Sequence, residues 1–292
     1  MKIALHGKPF EEKHKPFVST FLDILLNSGV EFVISEMFNQ ELIEKGFSRF
    51  SNFNLYKDHN NYPDVDCHLS IGGDGTLLES LTHICKKETP ILGLNVGRLG
   101  YLANVSASEA ESAATALLKK DYKIEERSMI KLITEENLFG DLNFGLNELA
   151  ILKRDTSSMI IVHTYIDGEF LNSYWADGLL ISTPTGSTGY SLSCGGPVLM
   201  PKSNSFIITP VSPHNLNVRP LIVPDEVSID FEIEGRAKNF LIALDSRSLS
   251  VDAGFKLTAK KSLFSAKLVT LKNVNFLRTL RTKLNWGLDN RN

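Results

Sequence analysis

Asp74 stands alone among three glycines in Gly72-Gly73-Asp74-Gly75-Thr76. Glycines let a backbone bend sharply and let a ligand come close. A lone acid in such a turn can accept a proton from a hydroxyl or hold a metal ion. The apolar run from Val65 to Ile71 suits a buried strand, and Leu77, Leu78, Leu81 and Ile84 recur at helical spacing. Thr76 with Glu79 three residues on has the pattern of a capping box. The unit reads strand, glycine turn, helix. Helix-start N–H groups are unpaired and carry partial positive charge, so they attract phosphate. The plainer reading is a tight turn in which Asp74 serves only as a turn former. Neither G-x-x-x-x-G-K-[ST] nor G-x-G-x-x-G occurs, which excludes a Walker-type loop and the standard dinucleotide fingerprint.

Two later stretches also carry chemistry. One is Gly145-Leu146-Asn147-Glu148-Leu149-Ala150; the other runs from Trp175-Ala176-Asp177-Gly178 through Thr183-Pro184-Thr185-Gly186-Ser187-Thr188-Gly189-Tyr190 to Ser193. Hydroxyls and bare backbone amides hydrogen-bond ribose, base edges and phosphates without full charge. Taken alone, Asn147-Glu148 is a polar pair near a strand edge, and the second stretch a Ser/Thr/Gly turn.

The elements that must hold these residues follow from periodicity. Lys2–Leu5 and Val30–Ile34 read as strands. Phe17, Phe21, Leu22 and Leu25 mark a helix stopped by Gly29, and Glu36–Lys45 is a helix ending at Gly46. Phe47 to Asp64 is polar and Asn-rich and reads as a loop. Pro90–Leu94 is a strand, and Ser108–Lys120 a helix. Strands alternating with helices imply a parallel sheet carrying helices. From Glu126 alternating apolar segments take over, as in Met129–Ile133, Ile160–Ile166 and Val227–Ile233, with Asp167-Gly168 as a hairpin turn. Phe276, Leu277, Leu280 and Leu284 mark a last helix, expected to return to the first domain, whose sheet needs helices on both faces. The expected division is an α/β domain, residues 1–125 with 266–292, and a β-rich domain, 126–265.

A net charge of −3 argues against a general nucleic-acid binder. From Phe255 onward nine Lys/Arg face a single acid, Asp289, which reads as a solvated basic face. Cys67, Cys85 and Cys194 are far apart without a C-x-x-C, so neither a zinc site of that type nor a disulfide framework is expected, and the compartment reads as reducing. No run approaches the roughly 18 apolar residues of a membrane span, and the start of the chain reads as a strand, not a signal peptide. The expectation is a cytoplasmic protein with no membrane or nucleic-acid partner.

Gly72-Gly73-Asp74-Gly75-Thr76, Asn147-Glu148, Asp177-Gly178 and Thr183–Tyr190 occur here in the order found in the ATP-dependent NAD kinases, which the chain closely resembles. Asn95-Val96-Gly97-Arg98-Leu99-Gly100-Tyr101 and Thr209-Pro210-Val211-Ser212-Pro213-His214 are also similar to family segments. The first motif is shared with lipid kinases; joined to the Thr183–Tyr190 loop it becomes specific. The resemblance implies an α/β domain plus a β-rich domain with the site in the cleft. It implies transfer of the terminal phosphoryl group of ATP to the 2′-hydroxyl of the adenosine ribose of NAD, giving NADP. Asp74 would be the general base and Gly75 would approach the dinucleotide. Asn147 and Glu148 would bind the nucleoside, and Asp177 the nicotinamide half. Thr185, Thr188, Gly189, Tyr190 and Ser193 would form the adenine-side pocket. Mg2+ would arrive on ATP, so no metal ligand is assigned to the chain, and the family implies a homodimer or homotetramer. Two departures stand out. Gly189 replaces the family's usual Ala, and Asp245-Ser246-Arg247 stands where Asp-Gly-Gln is usual, with Arg247 placed to reach a substrate oxygen. Competing readings are a lipid or sphingoid-base kinase, which the hydroxyl-rich loop disfavours, and a non-catalytic NAD(P) sensor, which has no need of Asp74.

Overall fold

Cys67–Gly72 (β4) delivers the glycine turn from the middle of a seven-stranded sheet. The computed structural model describes residues 1–97, 100–103, 105–154, 159–235, 239–252, 254–272 and 275–286. Arg98 and Leu99 of the Asn95–Tyr101 segment lie outside the described residues. The chain divides into two compact units, Met1–Glu126 with Ala266–Asn292, and Arg127–Ser265.

In the first unit Lys2–Gly7 (β1), Glu31–Ser35 (β2), Asn54–Tyr56 (β3), β4, Ile91–Asn95 (β5) and Lys123–Arg127 (β6) join the late strand Ala266–Thr270 in the order β3-β2-β1-β4-β5-(Ala266–Thr270)-β6. The pairs β1–β2, β1–β4, β2–β3 and β4–β5 are parallel. Every residue of β4 and β5 is buried, as central parallel strands require. Lys15–Asn27 (α1), Glu36–Glu44 (α2), Asp74–Ile84 (α3) and Ala110–Leu118 (α4) are the unit's main helices. α1 buries Phe17, Val18, Phe21, Leu22 and Leu25, each worth roughly 1.5–3 kcal/mol. Gly29 and Gly46 stop α1 and α2 in the left-handed region, at φ +75° and +80°.

Strand order reverses between β1 and β4: β2 and β3 are laid down on one side, β4 and β5 on the other. In open parallel sheets ligands bind beyond the strand C-termini at such a switch point. Gly72-Gly73-Asp74-Gly75 is the turn at that place. The sheet faces differ. Ile3, Leu5, Leu69, Ile71, Leu92 and Leu94 meet α1 and α4 in one apolar cluster. Alternation sends Ala4, His6, His68 and Ser70 to the other face, and His6 there meets Glu79 of α3.

The second unit holds two six-stranded sheets. One runs Glu169–Ala176, Ile160–Ile166, Ile229–Gly235, Leu257–Lys261, Ile130–Ile133, Phe144–Gly145; the other Leu221–Pro224, Ser205–Val211, Gly178–Ser182, Glu148–Lys153, Asn239–Leu244, Arg247–Asp252. Their inward residues share one core, including Leu149, Ile151, Leu179 and Ile181 from one sheet and Ile130, Val162, Ile229 and Phe231 from the other. Asp167-Gly168 turns the hairpin with φ of +50° and +84°, the left-handed pair that a two-residue turn demands.

Three expectations are corrected, and one strand is added. The Thr76–Glu79 capping box is absent: α3 starts three residues earlier, Gly73 is its cap without a side-chain bond, and Thr76 is already inside the helix. Phe47–Asp64 is not simply a loop, because it contains β3 and buries Phe50 and Tyr56 completely. Ala266–Thr270 is a strand of the first sheet, paired parallel with β5. The last helix, Phe276–Leu284, belongs to the first unit, but of its leucines only Leu280 is buried, while Leu277 is 49% exposed.

Candidate active site

The glycine turn has one tight position and two open ones. A Cβ on Gly72 would fall 2.1 Å from Thr76 Oγ1, so packing forces that glycine. A Cβ on Gly73 or Gly75 would meet no atom of the described residues within 4 Å. Neither has a left-handed φ: Gly73 is extended and Gly75 helical. Neither conformation nor packing therefore calls for glycine there. What their smallness leaves is access to the first-turn N–H groups of α3.

Asp74 is the first residue of α3 and does not project freely into the turn, as the sequence suggested. Its Oδ2 accepts from the Tyr101 N–H at 2.7 Å, and its Oδ1 from the Leu102 and Ala103 N–H groups at 3.0 and 2.9 Å. A carboxylate has about four lone-pair sites, so one direction remains for a substrate hydroxyl. The loop that wraps it is itself fixed. Asn95 Nδ2 donates to the Ala103 carbonyl at 3.0 Å, and Asn95 Oδ1 accepts from the Gly97 N–H at 2.7 Å. A Cβ on Gly100 would lie 1.8 Å from Asp74 Oδ1. The Tyr101 ring meets Phe276 at 6.4 Å and the Lys283 ammonium at 4.8 Å, both from the last helix. Burial and then the Asp74 charge push the Tyr101 hydroxyl up.

In the second unit the functional residues gather around Asp245. It is half-buried, sits at a left-handed φ of +52°, and accepts from the Leu146, Asn147 and Glu148 N–H groups at 2.8, 2.7 and 3.2 Å. Burial pushes its carboxyl up, against those hydrogen bonds. Glu148 begins a strand in the interior of its sheet, not at an edge. Burial, then the Asp245 charge, pushes its carboxyl up to about 7. Its Oε2 is buried without a hydrogen-bond partner among the described residues. The hydroxyl loop is tied to the same place: the Thr183 N–H and Oγ1 donate to the Asn147 and Leu146 carbonyls at 2.8 and 2.5 Å. A Cβ on Gly186 would fall 2.1 Å from the Asn147 carbonyl oxygen, and one on Gly189 3.4 Å from Glu148 Oε2.

The loop's hydroxyls divide into two groups. Thr183, Ser187 and Ser191 are spent on the loop's own structure, through Leu146, Pro184 and Thr209 respectively. Thr188 Oγ1 reaches the Thr185 carbonyl only at 3.4 Å. Tyr190 is 42% exposed, Gly189 and Ser193 are exposed, and Thr185 is buried. Gly186 and Gly189 bring this loop against Asn147 and Glu148, and the Glu148 charge reaches the Tyr190 hydroxyl; Thr185 and Thr188 share the same turn, and Ser193 ends the short helix Tyr190–Ser193 that follows.

Asp177 stands further from Glu148, although its charge still reaches the Tyr190 hydroxyl, and Arg247 faces the backbone before Asn147. Ser182 pairs with Glu148 while Gly178 pairs with Leu152; at about 3.3 Å per residue, Asp177 lies roughly 16 Å along the strand from Glu148. There it forms an ion pair with Lys153 at 2.6 Å. The Arg247 guanidinium donates to the Leu142 and Phe144 carbonyls and lies over the Phe144 ring at 5.3 Å. It braces the segment before Asn147 through these two carbonyls. Sequence reasoning passed over Asp245 itself, although it is the first residue of the segment flagged as a departure. It also passed over Asn95 and Gly100, whose part depends on where the chain after β5 returns.

Comparison with known proteins places this geometry. A family model described as the ATP-NAD kinase N-terminal domain matches residues 3–122, and one described as the ATP-NAD kinase C-terminal domain matches residues 146–271. The chain is 57% identical over 292 residues to an NAD kinase of Cytophaga hutchinsonii, covering 100% of both chains. It is 44% identical over 298 residues to that of Flavobacterium psychrophilum, again covering 100% of both. Among solved structures it is similar to an NAD kinase from Archaeoglobus fulgidus in complex with ATP, with 27% identity, a TM-score of 0.74, and coverage of 98% of this chain and 99% of that one. A yeast NADH kinase complexed with NADH has the same fold, with a TM-score of 0.86 at 21% identity and coverage of 99% and 89%.

Proposed function

The chain belongs to the ATP-NAD kinase family, and on that premise we propose which of its residues carry the reaction. It is an ATP-dependent phosphotransferase that phosphorylates NAD at the 2′-hydroxyl of the adenosine ribose. Asp74 receives the proton of that hydroxyl. Three N–H groups hold its carboxylate in one orientation, so positioning is settled before substrate arrives. In a loose phosphoryl-transfer transition state the hydroxyl gives up its proton late, so a well-aimed acceptor serves better than a strong base.

The observation that carries this reading is the pair Gly73 and Gly75. A Cβ at either position would meet no described atom and neither has a left-handed φ, so the space beside the helix start stays open to a ligand. Their N–H groups, at the start of α3, take the phosphates of the dinucleotide or of ATP. Asn147 and Glu148 hold the nucleoside, with Asp245 fixing their backbone. Thr185, Thr188, Gly189, Tyr190 and Ser193 line the adenine side. Asp177, too far from Glu148 to share one nucleoside, serves the nicotinamide half. Arg247 supports the site through the segment 142–144 and touches no substrate.

Mg2+ fits as an ion brought by ATP. At the glycine turn the described residues offer one carboxylate, most of whose lone pairs already face N–H groups, which is too few oxygens for an all-protein cage. When bound, the ion neutralises charge on the transferring phosphoryl group. We further propose a homodimer or homotetramer working in the cytoplasm; no described helix is long and apolar enough to cross a membrane. The test is turnover of NAD with ATP and Mg2+ by the purified chain. NADP supports the proposal. ATP consumption without NADP, or binding without turnover, removes it and favours a different acceptor or a sensor.

A further inference from the structure

The polar face of the first sheet holds a group of side chains that the kinase reaction does not use. His6 of β1 is completely buried. Its Nδ1 lies 2.8 Å from Ser35 Oγ, while its Nε2 has no hydrogen-bond partner among the described residues and lies 3.8 Å from Glu79 Oε1. The His83 ring is 4.6 Å from the His6 ring, and both its nitrogens are buried without a hydrogen-bond partner among the described residues. Glu79 and His83 are four residues apart on α3, so they share one helix face. One donor atom from each of His6, Glu79 and His83 lies within 4.8 Å of the others.

A packed core does not account for this. A polar atom buried without a partner is costly, and an apolar residue at either histidine would avoid that cost. We propose that His6, Glu79 and His83 bind a divalent transition-metal ion of the zinc class. Two imidazoles and a carboxylate are a zinc donor set that leaves a fourth position for water. Tetrahedral zinc would bring the donors to roughly 3.3 Å apart, a closure that rotation of the Glu79 and His83 side chains supplies. Glu79 Oε2 must then leave Lys8, 2.7 Å away, whose half-exposed ammonium can turn to solvent. The Ser35 bond fixes the His6 ring with Nε2 aimed at the other two donors, as a second layer of ligand support does. The bound ion ties α3, which begins at Asp74, to β1, and so stabilises the first unit.

The test uses the full chain, stripped with chelator and titrated with Co2+ and Zn2+ alone, without nucleotide. The expected result is one Co2+ per chain with a visible ligand-field band, displacement by Zn2+, and a raised Tm. Glu79→Gln and His83→Gln each weaken binding more than tenfold. Ser35→Ala, which removes only the bond that orients His6, weakens it about 10–100-fold. Asp74→Asn leaves it unchanged, separating this site from the nucleotide site. Circular dichroism checks that each variant is folded; if His83→Gln is not, Glu79→Gln decides alone. Absence of binding below millimolar metal, or binding that Glu79→Gln leaves intact, overturns the proposal.

Discussion

Glu148→Gln keeps the size of the side chain and removes its charge. In the folded chain burial, and then the Asp245 carboxylate, raise the Glu148 carboxyl from 4.5 to about 7. Between those two values the folded chain holds a proton that the unfolded chain has released. The stability tied to this group is therefore fully present below about 4.5 and lost as pH rises through about 7. At about 1.4 kcal/mol per pH unit, the loss is about 3 kcal/mol. Gln carries no charge to desolvate and escapes it. The variant should be more stable than the parent by up to about 3 kcal/mol at pH 8, with the difference below about 1 kcal/mol at pH 5. Urea unfolding followed by circular dichroism at the two pH values measures this. A difference that does not grow with pH, or a variant less stable at pH 8, refutes the reasoning. NAD affinity should fall in the same variant, because a buried carboxylate that costs stability is retained for binding.

Gly100→Ala would put a methyl carbon 1.8 Å from Asp74 Oδ1, so the carboxylate or its loop must shift; kcat should fall at least tenfold while Tm stays within a few degrees. An unchanged kcat would mean that this loop does not aim Asp74. Leu280→Ala should cost about 2–5 kcal/mol, whereas Leu277→Ala, at a half-exposed position, should cost less than about 0.5 kcal/mol; equal losses in thermal melts would show that the last helix packs by another face.

What could be read in the sequence was what neighbours in the chain decide. The strand, glycine turn and helix around Asp74 were legible because apolar runs and glycines lie side by side. So was the Asp167-Gly168 hairpin, whose residues tolerate left-handed backbone. What failed depended on partners far away in sequence. β3 is three residues long and polar at its start, and only its pairing with β2 makes it a strand. Ala266–Thr270 finds β5 across more than half the chain. The capping box failed because Gly73 could start the helix earlier than the Thr76–Glu79 spacing suggests. In the site, the residue types at Glu148 and Thr183–Tyr190 were legible, but the division of the loop into structural and free hydroxyls was not. That division depends on the Leu146 carbonyl and on Thr209, which reach the loop only in the folded sheet. Asp245 stayed hidden for the same reason, since its three N–H donors lie about a hundred residues earlier.

The most direct test of the Asp74 assignment is the steady-state rate of NADP formation from NAD, ATP and Mg2+ by the parent chain and by Asp74→Asn. Loss of a positioned proton acceptor costs about 10²–10⁴ in rate, so kcat should fall by that factor while KM for NAD changes only a few-fold. A variant that forms NADP at nearly the parental kcat would contradict the role assigned to Asp74 and return the glycine turn to a purely structural one.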